Sequence, residues 1–217
     1  MIRRPPERLS TRGPAGDIEF VVDHPAVFPT EGADEPARGI AVVAHPHPLF
    51  GGSLDNKVTQ TLARTFAELG YIAIRPNFRG VGASEGVHDH GEGETDDLIT
   101  VIDWAQGRFG PLPVALAGFS FGAYVATRVA ARVPVERMVL VGMPNGVVAG
   151  GRTYVPGPVP ADTIVIHGEL DETVPLTNVL EWARPQDLPI VLVPGADHFF
   201  HRRLHLLRAI VKGQWRA

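Results

Sequence analysis

The chain has 217 residues, 44% of them apolar and 20% charged, a composition that suits one ordinary globular domain spanning 1–217. A net charge of −4 supplies neither a nucleic-acid footprint nor a polybasic membrane patch, and no apolar stretch approaches the length needed to span a bilayer. The absence of cysteine excludes a disulfide framework, a thiol nucleophile and cysteine-ligated metals. Arg3 and Arg4 are followed by Pro5-Pro6-Glu7-Arg8 rather than an apolar export core, so the expected location is cytoplasmic.

In chain order, Leu9 to Thr11, a turn at Gly13-Pro14-Ala15-Gly16, and Ile18 to Val22 predict an N-terminal β-hairpin. A loop rich in proline and acid follows. Gly39 to Ala44 reads as a buried strand. Asn56 to Leu69 reads as a helix, with Val58, Leu62, Phe66 and Leu69 on one face and Gly70 as its stop. Tyr71 to Ile74 is the next strand, and Thr95 to Ala105 the next helix. Val114 to Ala117 and Phe121 to Val133 are a strand and helix on either side of Ser120. Met138 to Val141, Thr163 to Ile166 and Ile190 to Val193 are short buried strands. Gly142 to Pro160 reads as a surface loop with little room for a lid. A last helix is expected from about Phe199 to Val211, with Phe200, Leu204, Leu207 and Val211 on one face.

Short apolar strands alternating with helices imply βαβ units and a mostly parallel twisted sheet with both faces covered. Chemistry in such sheets lies beyond the carboxyl ends of the strands. The residues just after the strands are His45-Pro46-His47, Arg75-Pro76-Asn77, Ser120, His167-Gly168-Glu169 and Gly195-Ala196-Asp197-His198.

Gly118-Phe119-Ser120-Phe121-Gly122, between a strand and a helix, has the form of a nucleophile elbow. A serine nucleophile needs a histidine base, and the base needs an orienting carboxylate. Asp171 is the carboxylate candidate, with Glu169 and Asp162 as rivals. His198 is the base candidate, since His201 and His205 fall on the final helix. The order Ser, Asp, His is the one α/β-hydrolases use. Two amides must face the developing oxyanion. Phe121 N–H follows the nucleophile. In the loop after Gly39–Ala44, Pro46 and Pro48 have no N–H, which leaves His47, with Leu49 as the alternative.

Other readings exist. His45 and His47 at i and i+2 on a strand would share a face and chelate a metal with His88, Asp89 or His90. Gly80-Val81-Gly82 beside Arg79 fits a dinucleotide fingerprint poorly, so Arg79 is read as a brace between strand ends. The acidic run from Glu92 to Asp97 fits a helix N-terminus. A silent binding protein on the same fold is the remaining alternative.

The segments Ala44-His45-Pro46-His47-Pro48-Leu49-Phe50-Gly51-Gly52, Asn56-Lys57-Val58, Asn77 to Gly86, Gly118 to Gly122 and Gly195 to Phe200 together carry a resemblance. Over nearly its whole length the chain resembles an α/β-hydrolase-fold serine hydrolase, in particular a small lidless bacterial subfamily of predicted hydrolases. The resemblance implies Ser120 as nucleophile, Asp171 as acid and His198 as base. It supplies no substrate; a small-molecule carboxylic ester with a short acyl chain is expected because no sizeable cap is evident to enclose a long one, and neither cofactor nor metal is expected. A thioester or amide would use the same residues. Leu49, Phe50, Phe119, Met143 and Tyr154 are the expected substrate-binding residues. Neither nucleic acid nor membrane is expected as a partner, and the chain is expected to be a monomer or homodimer.

Overall fold

The computed structural model describes residues 5–25 and 37–215. Arg3, Arg4 and most of the proline- and acid-rich loop lie outside the described residues. The hairpin forms as β1 (Glu7–Gly13) and β2 (Gly16–Asp23), closing with Gly13 opposite Gly16. Then come β3 (Gly39–Ala44), α1 (Lys57–Glu68), β4 (Tyr71–Pro76), α2 (Glu92–Phe109), β5 (Val114–Phe119), α3 (Phe121–Ala130) and β6 (Arg137–Val141). A two-stranded excursion, β7 (Gly146–Val147) and β8 (Thr153–Tyr154), precedes β9 (Ile164–Gly168), α4 (Leu176–Ala183), β10 (Ile190–Val193) and α5 (Leu204–Gln214).

Eight strands make one sheet in the order β1-β2-β4-β3-β5-β6-β9-β10. β1 and β2 pair antiparallel with each other, and β2 pairs antiparallel with β4. From β4 to β10 every pairing is parallel. Alternate residues of each inner strand feed two cores. Ile40, Val42 and Leu116 share one core with Leu98 and Ile102 of α2, Val125 and Val129 of α3, and Val179 and Trp182 of α4. Ala41, Val43 and Ala117 meet Val58, Leu62 and Phe66 of α1 and Leu207 and Val211 of α5. No helix among the described residues is long and apolar enough to cross a membrane.

Several elements differ from the sequence reading. α2 begins at Glu92 rather than Thr95, because the Glu94 carboxylate accepts the N–H groups of Asp89 and Gly91 and so starts the helix earlier. α5 begins only at Leu204, since Phe200 (φ 53°) and Arg202 (φ 61°) take left-handed steps; Phe200 nevertheless stays fully buried on the expected face. α4 was not anticipated. The stretch from Gly142 to Pro160 is more than a surface loop, for it buries Met143, Val148 and Tyr154 and folds β7 onto β8. It is tied to α4 by Asn178, whose Nδ2 donates to the carbonyls of Asn145 and Val147.

Candidate active site

Ser120 sits between β5 and α3 with φ 54° and ψ −122°, a backbone conformation that L-residues rarely adopt. Its N–H donates to Val141 O at 2.9 Å, and its carbonyl opens α3 by accepting from Ala123 at 2.8 Å. The flanking glycines are needed for space. A Cβ on Gly118 would lie 2.3 Å from Gly122 O, and one on Gly122 would lie 2.4 Å from Ala44 O. Strand, helix and the end of β3 therefore meet at van der Waals limits directly around the serine.

His198 Nε2 lies 3.0 Å from Ser120 Oγ, and its Nδ1 lies 2.7 Å from Asp171 Oδ2. All three side chains are buried, with the residues only 7%, 5% and 8% exposed for Ser120, His198 and Asp171. Asp171 Oδ1 accepts the N–H groups of Thr173 and Val174 at 2.9 and 2.8 Å, so one carboxylate oxygen is anchored and the other faces the imidazole. The rivals are engaged elsewhere. Glu169 accepts Gly195 N–H, and Asp162 pairs with Arg137. His201 pairs with Asp197 at the surface, and His205 is exposed on α5.

Three further residues assemble this chain of contacts. Gly168 ends β9 where a Cβ would meet Ala196 O at 2.5 Å, so the loop carrying His198 passes directly over it. Gly142 (φ 56°) leaves room beside His198, whose Cε1 would be 3.1 Å from an added Cβ. His167, buried in β9 rather than after it, donates from Nε2 to Val174 O at 3.0 Å and supports the turn that holds Asp171. Burial lowers its pKa below the ordinary histidine range. A glycine or histidine at a strand end was the available signal for all three.

The loop after β3 does not present a histidine pair on a strand face, because β3 stops at Ala44. His45 turns inward, fully buried. Its Nδ1–H donates to Pro46 O at 2.6 Å, and its Nε2 accepts Phe78 N–H at 2.9 Å, so both ring nitrogens are engaged. Burial, chiefly, takes its pKa down to about 4. His47 turns the other way, its ring 4.9 Å from both Phe50 and Phe121 and 4.7 Å from His88. Its pKa falls to about 4, first through burial and then through the nearby His88, Arg152 and His90. Among the described residues no group of three or more histidine, aspartate or glutamate side chains is arranged to hold a metal.

Leu49 N–H donates to His47 Nδ1 at 3.2 Å and is occupied. The N–H groups of His47 and Phe121 meet no protein acceptor among the described residues. Leu49 and Phe50 are each 69% exposed at the rim. Phe119 and Met143, expected to line the substrate site, are fully buried. Phe119 points to the face of the sheet opposite the helix α3 and carries the His198 ring at 4.9 Å, while Met143 belongs to the core under α3. Tyr154 is nearly buried against Tyr124, at 5.1 Å, and Phe121. Arg79 braces as expected, but against α2: it grips both oxygens of Asp97, at 2.8 and 2.9 Å, and Gly93 O.

Residues 26–144 match the family model described as X-Pro dipeptidyl-peptidase (S15 family), a span that includes Ser120 and ends before Asp171 and His198. The solved structure of XC6422 from Xanthomonas campestris, described as a member of the α/β serine hydrolases without lid, is 37% identical with a TM-score of 0.84, over 96% of this chain and 93% of that one. The uncharacterized protein RP471 of Rickettsia prowazekii is 31% identical over 77% of this chain and 74% of its own length. The lysophosphatidylserine lipase ABHD12 of Danio rerio is 28% identical over 64% of this chain, which spans only 30% of that longer protein.

Proposed function

The chain belongs to the X-Pro dipeptidyl-peptidase (S15) family of α/β serine hydrolases, and on that premise we propose that it cleaves a carboxylic ester through an acyl-enzyme on Ser120. The observation that carries this reading is the continuous chain Ser120 Oγ, His198 imidazole, Asp171 carboxylate, at 3.0 and 2.7 Å. In the first step Ser120 Oγ bonds to the ester carbonyl carbon while His198 Nε2 takes the hydroxyl proton. The amides of His47 and Phe121 face the oxyanion that forms. Collapse of the tetrahedral adduct breaks the ester C–O bond, and His198 returns its proton to the departing alkoxide. Water then attacks the acyl-enzyme, losing its proton to His198, and collapse of the second adduct breaks the acyl–Oγ bond as His198 returns that proton to Ser120 Oγ, releasing the acid. Asp171 holds the imidazole with its proton on Nδ1 and offsets its charge when doubly protonated.

A short acyl chain suits a site whose rim is made of open side chains such as Leu49 and Phe50. That ABHD12 is described as a lipase supports an ester; the S15 name supports an amide as the alternative, served by the same residues. Labelling with a fluorophosphonate, with Ser120→Ala as control, tests the nucleophile, and turnover of short-chain esters against matched amides tests the bond. An adduct on Ser120 with faster ester cleavage is the expected result. A folded protein that takes no label at Ser120 would refute the reading.

A further inference from the structure

Beside the loop that carries His47 stands Arg152, a cation that pairs with no carboxylate among the described residues. Arg152 lies at the tip of the excursion between β6 and β9, just before β8. Its Nε and Nη2 both donate to Ala149 O, at 3.2 and 2.8 Å, and its guanidinium lies over the Phe50 ring at 4.5 Å. It also meets the Tyr154 side chain. Among the described residues no carboxylate pairs with it. This arginine is held in place before any ligand arrives. Ala149 N–H is itself bonded to Thr173 O in the Asp171 turn, and Asn178 pins β7 to α4.

Its position is defined by ring contacts that lead to the nucleophile. Phe50 touches His47, His47 touches Phe121, and Phe121 follows Ser120. Tyr154, two residues after Arg152, reaches the same Phe121 ring from the other side. On the far side of His47 lie His88 and His90, their rings 4.9 Å apart. The acid beside His88, Glu94, is fully buried and accepts from Asp89 N–H, Gly91 N–H and His88 Nδ1, so its oxygens are already engaged. One wall of the site therefore presents a rigid, half-buried guanidinium framed by imidazoles, where an unmatched positive charge attracts an anion.

We propose that Arg152 is a subsite for an anionic group on the substrate, so that the ester hydrolysed at Ser120 carries a carboxylate or a phosphate. The subsite rests on the ester reading above and narrows it to a substrate class. A guanidinium already fixed by Ala149 O and Phe50 loses little freedom on binding, which favours its use in recognition.

Two matched pairs of esters distinguish the anion and the side that bears it. 4-Nitrophenyl butyrate and 4-nitrophenyl hemisuccinate differ by a carboxylate on the acyl side. Butyryl glycerol and butyryl glycerol phosphate differ by a phosphate on the alcohol side. The native protein is expected to prefer the anionic member of one pair by about tenfold in kcat/KM. Arg152→Glu should invert that preference and Arg152→Lys should keep part of it. Because the readout is a ratio within a pair, a general disturbance of Phe50 leaves it unmoved. Calorimetric binding of butyryl glycerol phosphate and of hemisuccinate amide to Ser120→Ala, with and without Arg152→Glu, reads the subsite without turnover. Preferences and affinities that are the same with Arg152 and with Glu at that position overturn the subsite. Anion binding lost in Arg152→Glu, with no ester of either pair hydrolysed by the native protein, would overturn the ester reading and leave the subsite standing.

Discussion

Acid should loosen this protein through His45. Its imidazole is fully buried and held neutral, with a pKa of about 4 against an ordinary value of 6.5, and its unprotonated Nε2 is the acceptor for Phe78 N–H. Below pH ~6.5 the unfolded chain binds a proton at this position that the native state refuses, so stability falls as pH falls. The contribution is fully present above the unfolded pKa and is lost at about 1.4 kcal/mol per pH unit down to the native pKa. By pH ~4.5 the loss from this one group is about 2.5 kcal/mol, a large part of a typical folding free energy. The assay is urea unfolding of the native protein and of His45→Gln at several pH values between about 7.5 and 4.5. Glutamine keeps an acceptor near Phe78 N–H but does not titrate. The variant is expected to be less stable at neutral pH, by about 1–3 kcal/mol, and the gap to the native protein should close by roughly 2 kcal/mol or more at the acid end. Carboxylates and the buried His47 titrate in both proteins and cancel. A gap that stays constant across the range would refute the argument that burial keeps His45 neutral.

Asp171→Asn should leave folding nearly intact and reduce kcat by about 10³–10⁴. The asparagine oxygen must take over the N–H groups of Thr173 and Val174, so its NH₂ faces His198 Nδ1 and forces the ring proton onto Nε2, toward Ser120. Retained activity in steady-state assays would remove Asp171 from the proposed mechanism. Gly122→Ala should destabilise by about 2–3 kcal/mol, because the new Cβ meets two backbone carbonyls, Ala44 O and His45 O, that no rotamer can relieve. In a protein of this size that lowers the melting temperature by about 5 °C or more, and a variant melting with the native protein would contradict the packing described around the elbow.

The inner strands of the sheet were legible because each is a short, mostly apolar run, and their alternation with amphipathic helices already implies a parallel sheet. The sheet order was not, since nothing in Ile40 or Val114 says which strand lies beside it. α4 was hidden because it is only eight residues long and begins after Thr173-Val174-Pro175, which reads as a loop; Val179, Trp182 and Ala183 are the buried face that would have revealed it. Glycine and proline between Gly142 and Pro160 obscured Met143 and Tyr154 as core residues. Around the site, the elbow pattern, the order of the residues and the resemblance together pointed to Ser120, Asp171 and His198 after three different strands; order alone left Glu169 beside Asp171. The direction of a side chain was not. Phe119 was expected to face a substrate, but period-two alternation along β5 sends it to the core with Ala115 and Ala117. The alternative of a same-face His45 and His47 pair needs β3 to run past Ala44, where the apolar run and the strand both end.

The sheet order carries a consequence for how the molecule fails. Ser120 follows an interior strand, whereas His198 follows β10, which among the described residues lies at the margin of the sheet and pairs only with β9. The proposed base thus hangs from an edge strand, four residues long and with half its backbone ladder facing outward. Marginal strands are the first to peel away as a protein warms. Chemistry here will be silenced by a small local detachment while the interior strands and their helices remain assembled. Turnover is therefore a far more sensitive gauge of the integrity of this molecule than any measure of its bulk secondary structure.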